Sequence, residues 1–158
     1  MTSQVSVEVS GIDFAAAHFV SEGGACEQLH GHNYHVTVTI WGEIDSYGMV
    51  VDFRILKKRI QQLCKQWDHF VLLPAQSKFI RTAEKAQQIE VTTPNGKYSF
   101  PAKDVKVIDV VETTAEELAR FLCQKLIVNL SSDFPNVTAV QVALAESATS
   151  RATVLLSV

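Results

Sequence analysis

The chain is 158 residues long, the size of one ordinary domain, and 47% hydrophobic, enough for a sizeable core and too much for a disordered segment. Its 17 acidic and 14 basic residues leave a net charge of −3, without the basic excess of a nucleic-acid-binding domain. No apolar run approaches the roughly 20 residues that span a bilayer, and residues 1–10 hold no signal core, so the cytoplasm is the expected compartment.

Val5, Val7 and Val9 alternate with Ser6, Glu8 and Ser10, which predicts a half-buried strand. Residues 32–41 alternate again, Tyr34, Val36, Val38 and Ile40 against His35, Thr37 and Thr39, the strongest strand signal in the chain. Asp45–Gly48 reads as a turn and Met49–Val51 as a short strand. Asp52 is a plausible N-cap, followed by Leu56, Ile60, Leu63 and Trp67 at helical spacing, which predicts an amphipathic helix over 53–67. Between roughly 75 and 110 lies a segment with a hairpin, Ile89–Thr93 and Lys97–Phe100, around Pro94-Asn95-Gly96. The Asn-Gly pair favours positive φ and a tight turn. Such a locally closed hairpin is expected to be dispensable for folding. A second helix starts near Thr114, which has capping-box spacing to Glu117 and leads into Leu118, Phe121, Leu122 and Leu126. Residues 137–145 and 152–158 are two final strands. No repeat or linker divides the chain, so one domain of α+β class, 1–158, is expected, with an inserted hairpin segment at about 75–110.

The chemistry concentrates in Cys26-Glu27-Gln28-Leu29-His30-Gly31-His32-Asn33-Tyr34. On an extended chain His30 and His32 point to the same face, so both imidazoles can grip one metal ion. Gly31 between them lets the backbone adapt. His18, twelve residues before His30, is the natural third ligand from a neighbouring strand. Three imidazoles suit zinc and leave a fourth position open, the mark of a catalytic site. Cys26 is either a fourth ligand closing a structural site or a thiolate beside a metal-bound substrate; spacing alone leaves both open. His35 has the opposite strand parity and faces away. Cys26, Cys64 and Cys123 are odd in number and widely spaced, which suits a reducing compartment better than a disulfide framework. Asp68-His69 is either a helix terminator or a carboxylate that tunes an imidazole. Glu146, just past the apolar stretch Val140–Ala145, is either a solvated strand end or an acceptor of paired hydrogen bonds from an amidine-like edge.

Taken together, Phe14-x-Ala16-x-His18, Cys26-x-x-x-His30-Gly31-His32-Asn33-Tyr34, Asp68-His69, Thr114-x-Glu116 and Glu146 resemble the 6-pyruvoyltetrahydropterin synthase and 6-carboxytetrahydropterin synthase family, from about residue 5 to the C-terminus. The resemblance implies the tunnelling fold: an antiparallel sheet with two helices on one face. It also implies subunits joined into an oligomeric barrel, a homo-oligomeric trimer or hexamer with active sites at subunit interfaces. It implies Zn2+ on His18, His30 and His32, and the small-molecule substrate 7,8-dihydroneopterin triphosphate. Carried over position by position, Cys26 takes a proton from the substrate side chain. Asp68 and His69 form a second proton-transfer pair, Glu146 anchors the pterin ring, and Thr114 and Glu116 close that pocket. The three-residue spacer between Cys26 and His30 resembles the bacterial 6-carboxytetrahydropterin synthases of queuosine synthesis. These release acetaldehyde and triphosphate. The pyruvoyl-forming branch of biopterin synthesis is the alternative, and a non-catalytic structural zinc protein is the alternative from another class. Two features depart from the family pattern: Ser147 stands where Thr is usual, and the stretch between His69 and Thr114 is long.

Overall fold

The computed structural model describes residues 4–21 and 24–158. Its main sheet has six strands in the order β7-β3-β1-β2-β8-β9. Four are long and antiparallel: β1 (Gln4–His18), β2 (His30–Glu43), β8 (Val137–Ala145) and β9 (Arg151–Ser157). The two short strands β3 (Phe70–Pro74) and β7 (Val105–Ile108) extend the β1 edge in parallel, so the sheet is mixed at that side. Helices α1 (Phe53–Lys65) and α2 (Ala115–Ser131) supply Leu56, Ile60, Leu118, Leu122 and Leu126 to the main core. They meet one row of sheet side chains: Phe14, Ala16, Tyr34, Val36, Val38, Val140, Val142 and Leu144.

Local signals account for most boundaries. Asp52 caps α1 by accepting the Arg54 N–H at 2.8 Å. The helix stops at Lys65, two residues short of the periodic pattern, yet Trp67 still reaches the core with its ring 5.8 Å from Phe14. Thr114 caps α2 by accepting the Glu117 N–H at 3.4 Å. The Glu117 carboxylate takes Arg120 instead of closing the capping box. Met49–Val51 is not a strand: it follows the Asp45–Gly48 turn as a non-paired segment, with Val50 and Val51 buried.

A bulge in β1 decides which side chains face the helices. The β1–β2 register shifts between Val9 and Ile12, where Gly11 sits at φ +76°. One extra residue there moves the inward row from odd numbers (Val5, Val7, Val9) to even numbers (Ile12, Phe14, Ala16, His18). His18 therefore shares a face with Tyr34, His32 and His30.

The long segment builds a second sheet of three antiparallel strands, β4 (Arg81–Lys85), β5 (Gln88–Thr93) and β6 (Gly96–Pro101). Thr93 pairs with Gly96, so the two loop residues are Pro94 and Asn95, and of the three only Gly96 has positive φ. Proline suits the first loop position because its ring already fixes φ. The hairpin is not a detached excursion. Val91 is fully buried in a second cluster with Phe19, Leu73, Ile80 and Val105, and Tyr98 stacks on Phe19 at 5.1 Å. That packing runs against its being dispensable for folding.

Candidate metal centre and adjoining cavities

At the end of β1 and β2, His18 pairs with His30 across the ladder, and His32 is one step in from His30 on the same face. One ring nitrogen from each of the three lies within 4.8 Å of the others. Gly31 has a steric reason to be glycine: a Cβ there would come within 3.1 Å of the Ala16 carbonyl oxygen on the neighbouring strand.

The hydrogen bonds around the rings set their tautomers. His18 Nδ1 lies 2.7 Å from the Thr113 carbonyl oxygen, and His30 Nδ1 lies 2.7 Å from that of Gln28. A carbonyl only accepts, so each Nδ1 carries a proton; in the neutral form of either ring the bare lone pair is then on Nε2, turned inward. Those two Nε2 atoms stand 3.1 Å apart. Two lone pairs facing each other repel unless a cation lies between them. For tetrahedral zinc at about 2.05 Å from each nitrogen, the N···N separation is about 3.3 Å. The donor set thus fits the ion, and the two carbonyls are the outer partners that orient metal-binding imidazoles. His18 is only 3% exposed, and burial pushes its pKa down to about 4, with the Thr113 carbonyl opposing and the other two rings adding to the fall. It is neutral at physiological pH, as a ligand must be.

Glu146 follows β8 directly and lies beside this cluster, with Oε1 at 4.0 Å from Nε2 of both His18 and His32. Tyr34 lies beneath, its ring centroid 5.5 Å from that of His32, and its buried hydroxyl has no hydrogen-bond partner among the described residues. Burial, with Glu146 nearby, pushes the phenol pKa above its ordinary value.

Two cavities hold the other candidate residues: one is lined by His32 itself, the other by Thr114, next to the Thr113 carbonyl that holds His18. The latter, of about 570 Å³, is lined by Cys26, Thr114, Glu112, Ser21 and Lys78 among others. Cys26 is exposed on a short 3₁₀ turn, Gly24–Glu27, and its carbonyl accepts the Val20 N–H at 2.9 Å. Its sulfur is not in the cluster of metal-capable atoms. The other cavity, of about 520 Å³, lies against Ala15, Gly31, His32 and His69. His69 has φ +66° and is 82% exposed; its Nδ1 sits 2.9 Å from Asp68 Oδ1, which also accepts the Ala15 N–H at 2.9 Å. That backbone hydrogen bond, then His69, holds the Asp68 carboxyl below its usual pKa. Within one chain, therefore, Cys26 and His69 line different cavities. Glu116 is exposed on the first turn of α2. His35 lies on the opposite sheet face, 2.7 Å from Asp13.

A family model described as 6-pyruvoyl tetrahydropterin synthase matches residues 6–156. The chain belongs to this family. It is similar to a protein of Methanocaldococcus jannaschii provisionally named 6-carboxy-5,6,7,8-tetrahydropterin synthase, 30% identical over 139 residues, 87% of this chain and 85% of that one. It is similar to the 6-carboxy-5,6,7,8-tetrahydropterin synthase of Haemophilus influenzae, 30% identical over 118 residues, 72% of this chain and 76% of that one. The crystal structure of 6-pyruvoyl tetrahydropterin synthase from Plasmodium vivax superposes with a TM-score of 0.92 at 31% identity, covering 99% of both chains. The fold is thus that of the pterin synthases.

Three residues of this family member escaped the motif reading. Thr113 acts through its carbonyl on His18, and any residue type supplies a carbonyl. Gln28 is the same case for His30. Glu112 accepts from Ser21 Oγ at 2.5 Å and Ser77 Oγ at 2.9 Å, tying the segment before Cys26 to the turn after β3. Its partners are 91 and 35 residues away, a separation no local pattern reveals.

Proposed function

We propose that the chain is a zinc-dependent lyase that converts 7,8-dihydroneopterin triphosphate to 6-carboxy-5,6,7,8-tetrahydropterin, releasing acetaldehyde and triphosphate. The observation that carries this reading is the inward pair of Nε2 atoms at 3.1 Å with both Nδ1 atoms engaged on carbonyls. His18, His30 and His32 would hold the ion. Bound zinc would act as a Lewis acid on the side-chain hydroxyls of the substrate. Cys26, exposed in the adjoining cavity, takes the side-chain proton as a thiolate. Asp68 and His69 form the second proton-transfer pair. Glu146 accepts hydrogen bonds from the 2-amino group and ring N–H, and Thr114 and Glu116 close that pocket. The separation of Cys26 and His69 into two cavities supports a site completed by a second copy of the chain, in a trimer or hexamer.

The three-residue spacer between Cys26 and His30 and the names of the sequence relatives favour the carboxy-forming reaction. The full-length likeness to the Plasmodium vivax enzyme favours the alternative, elimination of triphosphate to a pyruvoyl product. Product analysis after incubation with dihydroneopterin triphosphate decides: acetaldehyde with a 6-carboxypterin is the expected outcome, and a 6-pyruvoyl product without acetaldehyde selects the alternative. In the same assay Cys26→Ala is expected to keep zinc and lose roughly 10²- to 10⁴-fold in rate. Loss of zinc from that variant would mean a structural site closed by Cys26 instead.

A further inference from the structure

We infer that the turn Gln76–Phe79 forms a phosphate-binding wall, with Lys78 as the residue that holds the substrate's phosphate chain; this rests on the pterin triphosphate reading above. A triphosphate brings several negative charges to the site, more than one Zn2+ held by three imidazoles would balance. A cation on a cavity wall would supply part of the remainder. The cavity lined by His32 and His69 offers no lysine or arginine. The cavity lined by Cys26 and Thr114 offers one, Lys78. The cleft lined by Lys106 and Lys125 contains none of the proposed site residues, and those two ammonium groups lie over Phe70 and Phe121.

Lys78 has the properties the role requires. It is exposed, and among the described residues no carboxylate lies within ion-pair distance of it, whereas Lys85 is engaged with Glu90 at 2.9 Å. Its backbone is held firmly. Ser77 Oγ accepts the N–H groups of Phe79 at 3.1 Å and Ile80 at 3.0 Å and donates to Glu112 Oε1. Gln76 N–H donates to the Val110 carbonyl at 3.0 Å, and Gln76 Nε2 to Asp109 at 2.6 Å. Ile80, buried in the second core, anchors the end of the turn. A flexible four-carbon stem on a fixed turn lets one ammonium follow a phosphate chain as a mobile point charge. Glu112, the one carboxylate on the lining, has its Oε1 taken by Ser21 and Ser77 and its Oε2 buried, which leaves Lys78 as the exposed charged side chain of this wall.

The test compares zinc-loaded wild type with Lys78→Ala and Lys78→Arg, using three probes: dihydroneopterin triphosphate as substrate, and inorganic triphosphate and unphosphorylated dihydroneopterin as inhibitors. Lys78→Ala is expected to raise KM about tenfold with kcat nearly unchanged, as loss of one charge-assisted contact should. It should weaken inorganic triphosphate by a similar factor and leave dihydroneopterin inhibition unaltered. Lys78→Arg should restore most of the binding. An unchanged inhibition constant for inorganic triphosphate, or equal weakening of both inhibitors, overturns the inference. If wild type does not turn over the pterin triphosphate, the functional reading fails by itself. Direct titration of inorganic triphosphate into wild type and Lys78→Ala then reads the phosphate wall independently, and equal affinities reject it.

Discussion

The two sheets of this protein solve different problems. In the main sheet, β1, β2 and β8 present one continuous face to two helices, and fully buried Tyr34, Ile40, Val140 and Leu144 line it. In the small sheet, β4 is exposed at every position and only Val91 of β5 and β6 is fully buried. The small sheet is instead held by a short aromatic stack, Phe19 to Tyr98 at 5.1 Å and Tyr98 to Phe100 at 5.8 Å, and by an Asn95–Glu27 hydrogen bond to the turn that carries Cys26. A covered face builds a rigid frame, and the metal-capable nitrogens sit on that frame. A few anchoring side chains suffice to hold the small sheet against that frame, while the cavity containing Cys26 is walled by residues before and after the sheet in the chain, Gln76–Phe79 and Val111–Thr114.

Three measurements break or sharpen this contrast. Leu118→Ala removes a fully buried side chain between α2 and the main sheet and should cost about 3–5 kcal/mol. In denaturant melts, probes on both sheets should report the loss together; a main sheet that melts while the small one persists would show two independent units.

The second effect is a pH dependence centred on His18. Burial holds its folded-state pKa at about 4 against an ordinary 6.5. Above pH 6.5 both states are neutral and stability is intact. As pH falls from 6.5 to 4, only the unfolded chain takes up the proton, so metal-free protein loses about 1.4 kcal/mol per pH unit, about 3 kcal/mol in all. Below pH 4 this contribution is flat. Urea midpoints of chelator-treated wild type and His18→Gln at pH 7 and 4.5 should therefore diverge in slope, with the variant less pH-sensitive. Parallel pH profiles would mean the frame does not hold His18 away from water.

The smallest effect is Val91→Ala, expected to cost about 1–2 kcal/mol because it deletes two buried methyl groups from the second core. A main transition unmoved by this change would restore the view of the hairpin at residues 89–100 as a removable excursion.

Strand alternation at 32–41, helical spacing at 56–67 and 118–126, the Asp52 and Thr114 caps and the His-x-His pair were all legible along the chain, because each depends on neighbours a few residues apart. The pairing of His18 with His30 was open only as a candidate, since it requires β1 to run on to residue 18 and to change phase at Gly11. A bulge of one residue has no periodic signature, yet it alone turns His18 toward the helices. Short β3 and β7 add in parallel because the chain returns through helix and loop, a choice that their few residues cannot announce. The Thr113 and Gln28 carbonyls on the histidines, the Glu112 link between distant serines and the placing of Lys78 beside Cys26 belong to the tertiary structure alone. Sequence patterns record which face of an element is buried; they do not record which distant backbone atom or loop is brought against it.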